Sequence, residues 1–187
     1  MLEAIPNEPE SPQRLFFSRV SRECYAHWQR MARRRGGAPL RGDLDPAEIK
    51  PLLPHLFIVQ KVAPDGRFLF RLSGTAIREI MGFENTGHHL DELLQGTDLA
   101  DVSAMFDQVM EQGVCIRSIE GLTYSDRSFV RVEILRLPLK ADDGRGCFVL
   151  GCLSQIESAN RPSAVAGTVK DKQVIQIEND VLPRCSF

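Results

Sequence analysis

The chain has 187 residues, 43% of them apolar, and a formal net charge of −2. That length suits one domain with extra segments at its ends, and the apolar share is enough for a proper core. The near-neutral charge argues against a broad nucleic-acid surface, so no nucleic-acid partner is expected. No run approaches the roughly 18 apolar residues of a membrane span. The start is acidic and proline-rich, unlike a signal peptide, and the five cysteines (Cys24, Cys115, Cys147, Cys152, Cys185) contain no CxxC pair. Both features point to a cytoplasmic protein with reduced thiols.

Residues 1–13 read as a disordered arm, and 14–52 as an N-terminal helix with a helical connector. In LFFSRVSRECYAHWQRMARRR, the residues Phe16, Val20, Cys24, Trp28 and Met31 recur at helical spacing, and Gly36-Gly37 ends the run. In the connector RGDLDPAEIKPLLPHL, Asp45 can cap a short turn that Pro51 and Pro54 stop. A core over 53–156 follows. Leu56–Val62 and Phe68–Leu72 flank Asp65-Gly66 as a hairpin, with Phe68, Phe70 and Leu72 on one face and Leu69 and Arg71 on the other. TAIREIMG and LDELL read as short helices, and 98–112 as a longer one ended by Gly113. Three strands, about 114–123, 127–139 and 146–156, are joined by SDR and ADDGRG, turns too short for parallel crossovers. The tail, 157–187, holds one candidate strand, Val174 to Ile177. The fold class is therefore α+β, with a five-stranded antiparallel sheet, helices on one face and an N-terminal amphipathic helix.

This order of elements resembles a PAS domain, and more narrowly the short free-standing bacterial PAS proteins. The resemblance covers about residues 20–156 and rests on LDPAEIKPLLPHLFIV, FRLSGTAIREIMG, Thr86-Gly87 with Leu90–Leu93, and RVEILRLPL with its DDG. His88 and His89 stand where the family usually has basic residues. The resemblance implies a curved sheet and a cavity between sheet and helices, and leaves the ligand to be argued from the site. The flavin light sensors of the family carry a cysteine in the helix before the loop, whereas IREIMGFENTGHH has none. Haem ligation would fall to His88 or His89, but the long helix carries no histidine, so no cofactor is expected. The same pair lacks an i, i+4 partner, and no metal site is expected.

No P-loop, GxSxG elbow, HExxH or dinucleotide fingerprint occurs, so the chain is not expected to be an enzyme. In RVEILRLPL, Arg131, Glu133, Leu135 and Leu137 share one face, and Val132, Ile134 and Arg136 the other. The default expectation is an Arg71–Glu133 ion pair on a solvent face of the sheet, contributing about 0.2–1 kcal/mol. The alternative is a cavity arginine that holds a small anionic metabolite bidentately. The candidate ligand-binding residues are Arg71, Arg131, Glu133, His88 and His89. Arg33-Arg34-Arg35 reads as a solvated helix end. The stripe Phe16, Val20, Trp28 and Met31 must be covered by the chain's own sheet or by a second copy. The resemblance supports the second copy and hence a homodimer built on those four residues. The sum is a cytoplasmic PAS-fold regulatory module acting through an unknown protein partner, with a small-molecule ligand as a further option. An anion sensor or an uncharacterised enzyme are the alternatives.

Overall fold

The computed structural model describes residues 15–123, 129–144, 146–156 and 173–177. The expected N-terminal arm, the SDR turn, Arg145, Cys185 and most of the tail lie outside the described residues. Helix α1 spans Arg19–Arg35, strands β1 and β2 Leu56–Val62 and Arg67–Ser73, and helices α2 and α3 Thr75–Met81 and Leu90–Leu93. Helix α4 follows at Gly96–Gln112, then β3 at Cys115–Thr123, β4 at Phe129–Lys140, β5 at Cys147–Gln155 and β6 at Gln173–Ile177. The connector before β1 forms turns and two short 3-10 segments rather than a regular helix, and Asp45 Oδ1 accepts from the Ala47 amide there at 2.8 Å.

The sheet order is β2-β1-β5-β4-β3-β6 with every pairing antiparallel. This is the expected five-stranded arrangement with the tail strand added outside β3. Three helices lie between β2 and β3 in the chain.

Both faces of the sheet are covered, which is the main departure from a half-buried sheet. On one face Leu56, Ile58, Leu135, Leu137, Phe148 and Leu150 pack with Tyr25, Trp28, Met31 and Ala32 of α1. On the other, Phe57, Val59, Val132, Ile134 and Val149 pack with Ile77, Leu90, Phe106, Val109 and Met110 of α2–α4. Alternation along each strand sends successive side chains to the two layers. That is why β4 and β5 each hold seven or more consecutive buried positions, nearly all apolar in β5 but including the charged Glu133 and Arg136 in β4.

The four residues proposed for a dimer interface are used within the chain. Phe16, Trp28 and Met31 are buried against the sheet and Val20 is partly buried beside them. Trp28 is fully enclosed, and its indole N–H donates to the Pro138 carbonyl at 2.8 Å. The stripe faces β4 and β5 because those strands present a second apolar face that needs a cover. It is not available to a second copy in this fold. Cys24, Cys115 and Cys152 belong to the same layer, where the neighbouring Cys152 thiol and burial push the Cys24 thiol well above its ordinary pKa. These thiols act as small core groups.

The start of α1 is held by a buried carboxylate. Ser18 caps the helix through its hydroxyl, which accepts from the Ser21 amide at 3.2 Å. Glu133 of β4, fully buried, accepts from the Phe17 and Ser18 amides at 3.1 and 2.8 Å and from Arg117 Nε at 2.5 Å. The expected Arg71–Glu133 pair does not form. Glu133 faces α1 and finds Arg117 on the adjacent strand β3, while Arg71 falls at a register shift in the β1–β2 ladder. There Ile58 pairs with Leu72 and Val59 with Phe70, leaving Arg71 unpaired as a bulge whose guanidinium donates to Gln60 Oε1 at 2.7 Å on the exposed side.

Candidate functional site

A cavity of about 280 Å³ lies between the second face of the sheet and α2–α4. Its walls come from almost every element: Phe57, Phe70, Ile134 and Leu153 from strands, Ile77, Leu90, Val102 and Phe106 from helices. Phe57 lies directly over the backbone of Gly151, its partner in the β1–β5 ladder, because a glycine there leaves room for the ring. Phe106 meets Phe68 and Phe70 edge-on, with centroids 5.3 and 6.4 Å apart, a geometry that fixes the aromatic wall.

Five polar side chains reach this largely apolar space: Asn85, Asp98, Asp101, Glu120 and Arg136. Arg136 projects from β4 on the same face as Ile134 and is only 2% exposed. Its guanidinium lies over the Phe106 ring at 5.9 Å and donates to Ser118 Oγ at 2.7 Å and to Glu120 Oε1 at 3.1 Å. Ser118 in turn donates to Glu120 at 2.6 Å. Burial of this guanidinium is thus supported by a carboxylate, a hydroxyl and an aromatic face.

Asn85 is 6% exposed and sits in the loop between α2 and α3. The loop is laid against β2 by two backbone bonds, Gly87 N to Phe70 O and Phe70 N to His88 O at 2.8 and 3.0 Å, and is closed on itself by His88 N to Asn85 O at 3.0 Å. Gly87 takes a positive φ of 84°, which a side chain would disfavour. Among the described residues, five buried side-chain polar atoms lack a hydrogen-bond partner, and the two in the cavity lining are Asn85 Oδ1 and Arg136 Nε. A buried donor or acceptor left unmet costs about 1–3 kcal/mol, and both atoms are closed off by the side chains around them.

None of the ligand-binding residues expected from sequence lines this cavity. Arg71 is exposed at the bulge, Arg131 is half-buried at the start of β4, and Glu133 lies on the opposite face under α1. His88 and His89 both turn their Nδ1 atoms to Glu92, at 3.2 and 3.1 Å, near the surface. The His89 backbone amide, then these imidazole contacts and Arg67, hold the Glu92 carboxyl below its usual pKa. Beside them Arg67 grips Asp91 through Nε and an Nη at 2.9 and 2.8 Å. Among the described residues no group of three or more His, Cys, Asp or Glu side chains is placed to hold a metal ion. Reading the sequence missed Arg136, Asn85 and Glu120. The available signal for Arg136 was a lone charge flanked by apolar residues on both sides in ILRLPL, which places it inside whichever face is buried.

An antiparallel sheet thus forms one wall of a molecule-sized cavity, and helices close the other. A family model described as PAS domain matches residues 16–154, and the chain belongs to that family. No curated protein is similar enough to count as a match.

Among solved structures, the Vibrio cholerae VqmA complex with ligand and DNA is similar at 15% identity and a TM-score of 0.46, covering 58% of this chain and 49% of that one. The Rhodobacter sphaeroides LOV protein is similar at 14% identity and a TM-score of 0.43, covering 61% of this chain and 69% of that one. The blue-light photoreceptor Aureochrome1 LOV is similar at 14% identity and a TM-score of 0.42, covering 61% and 89%. The chain spans about half the length of the VqmA chain it matches. Among the described residues no helix is long and apolar enough to cross a membrane.

Proposed function

We propose that this PAS domain is a cytoplasmic, non-catalytic sensory module whose cavity takes up a small, largely apolar molecule and whose response passes to a protein partner. The observation that carries the reading is a largely apolar cavity of about 280 Å³ between the sheet and α2–α4, walled by aromatic and aliphatic side chains with a few polar residues among them. Strand β4 offers a route outward. Arg136 faces the cavity, and Glu133, three residues earlier, holds the start of α1 on the other face. Native mass spectrometry of the full chain tests the proposal. A bound small molecule, or stabilisation by members of a metabolite library, is expected for the wild type and lost in Leu94→Trp, which fills the cavity from its partly buried rim. No bound mass and no stabilising compound in the wild type would refute it.

A further inference from the structure

Resting on that reading of the cavity, we propose that its ligand is a small aromatic molecule of two fused rings, that Phe57, Phe70 and Phe106 select its aromatic character, and that Phe83 sets the size limit. The volume gives the size. An apolar cavity of about 150 Å³ takes one benzene ring, and this one measures about 280 Å³, a little under twice that. A fused pair of rings fills it. One ring leaves about half of the walls without contacts, and three rings exceed the space.

The walls give the chemistry. Phe57, Phe70 and Phe106 all line the cavity and meet one another in a triangle. The ring centroids are 6.1 Å apart for Phe57–Phe70, 6.5 Å for Phe57–Phe106 and 6.4 Å for Phe70–Phe106, every pair tilted or edge-on. Such a cluster offers ring faces and ring edges to one guest, and an aromatic ring gains more from both than a saturated ring of the same size. The triangle has no room to open. Phe57 lies where a Cβ on Gly151 would stand, and Phe106, only 2% exposed, is also held edge-on by Phe68. The rim gives way more readily. Met81 and Leu94 are half-buried there, and Phe83, at 39%, is the most exposed phenylalanine of the lining. It directly follows Gly82, whose left-handed φ of 80° ends α2, so its ring stands on loop backbone. A guest longer than two rings has to displace Phe83.

A graded set of probes tests this: phenol, 2-naphthol, decahydro-2-naphthol and acridine, titrated into the full chain near neutral pH and followed by amide NMR shifts of cavity residues. They present one aromatic ring, two, the same two saturated, and three. 2-Naphthol is expected to bind at least about tenfold more tightly than phenol, from the apolar surface of its second ring. It should bind about fivefold more tightly than its saturated counterpart. Acridine should leave the cavity resonances of the wild type unmoved and shift them in Phe83→Ala, which still binds 2-naphthol. Phe70→Leu should bring 2-naphthol and decahydro-2-naphthol to within about twofold of each other. The NMR spectra report whether each variant is folded, and the wild-type ratio decides the aromatic preference should Phe70→Leu fail to fold. Acridine binding to the wild type, its exclusion from Phe83→Ala, phenol as tight as 2-naphthol, a saturated probe as tight as the aromatic one, or an aromatic preference that survives in Phe70→Leu would each overturn the proposal while leaving the cavity a ligand site. If all four probes leave the cavity resonances unmoved, the ligand-binding reading itself falls.

Discussion

Replacing Glu133 by alanine should loosen the N-terminal helix from the sheet. The carboxylate is fully buried and receives three donors, two backbone amides at the start of α1 and the guanidinium of Arg117, itself 3% exposed. Its removal leaves a buried cation without a counter-charge and two amides without their acceptor. Breaking one side of a buried pair costs about 3–5 kcal/mol, which for a chain of this size is a fall in Tm of about 6–20 °C. The loss should concentrate in α1. Hydrogen exchange of 19–35 should accelerate more than that of β4 and β5, and urea unfolding should report the total. Replacing both partners, Glu133→Leu with Arg117→Leu, should recover a good part of the loss, because the cost lies in the uncompensated charge. A Glu133→Ala loss under about 1 kcal/mol, the size of an ordinary hydrogen bond, or uniform acceleration of exchange across the fold, would refute the latch.

Trp28→Ala removes a fully buried indole and the donor to the Pro138 carbonyl. The expected cost in urea unfolding is about 3–5 kcal/mol, and Trp28→Glu should unfold the chain rather than release a folded monomer. Gly151→Ala would put a methyl into the Phe57 ring. It should cost about 1–3 kcal/mol in urea unfolding; a neutral effect would contradict the contact. Burial, and then the cation of Arg30, hold the His27 pKa below its ordinary value. The unfolded chain therefore takes up this proton first, and stability should fall as pH drops through about 6.5, flattening below the lowered folded value. His27→Gln should remove that part of the slope in urea titrations between pH 7.5 and 5, and an unchanged slope would show that other groups carry it.

Much of the fold could be read from local pattern. Strand β1 begins and ends where its branched and aromatic run does, and Gly36, Gly82 and Gly113 stop α1, α2 and α4 in left-handed caps, as the punctuation suggested. The antiparallel order followed from short connections. What periodicity leaves open is which surface covers a face it has identified. The stripe of α1 was visible at residues 16–31, but its cover is β4, more than a hundred positions later, and Glu133 meets Ser18 at a separation of 115. The apolar run CFVLGCL of β5 was the local sign that a second cover existed. Arg71 illustrates a different limit. One extra residue in β2 changes the side to which every later side chain points, and nothing in RFLFRLS marks where that shift falls. Arg136 and Asn85 come together only through the closed fold, since one belongs to a strand and the other to a loop some fifty residues away.

The loop that carries Asn85 has a role beyond the cavity. By bonding Gly87 and His88 to the outer side of β2, it occupies groups that would otherwise be open at that end of the sheet, and β6 does the same for β3 at the other end. Unsatisfied strand edges are templates on which a second molecule can add a strand and begin cross-β aggregation. In this chain such a molecule would first have to strip away the loop on one side, and on the other it would find only the five residues of β6 to build on. The segment that shapes the binding site thus also guards the protein's solubility, so substitutions that unseat it should be recovered as aggregates more often than as empty, soluble domains.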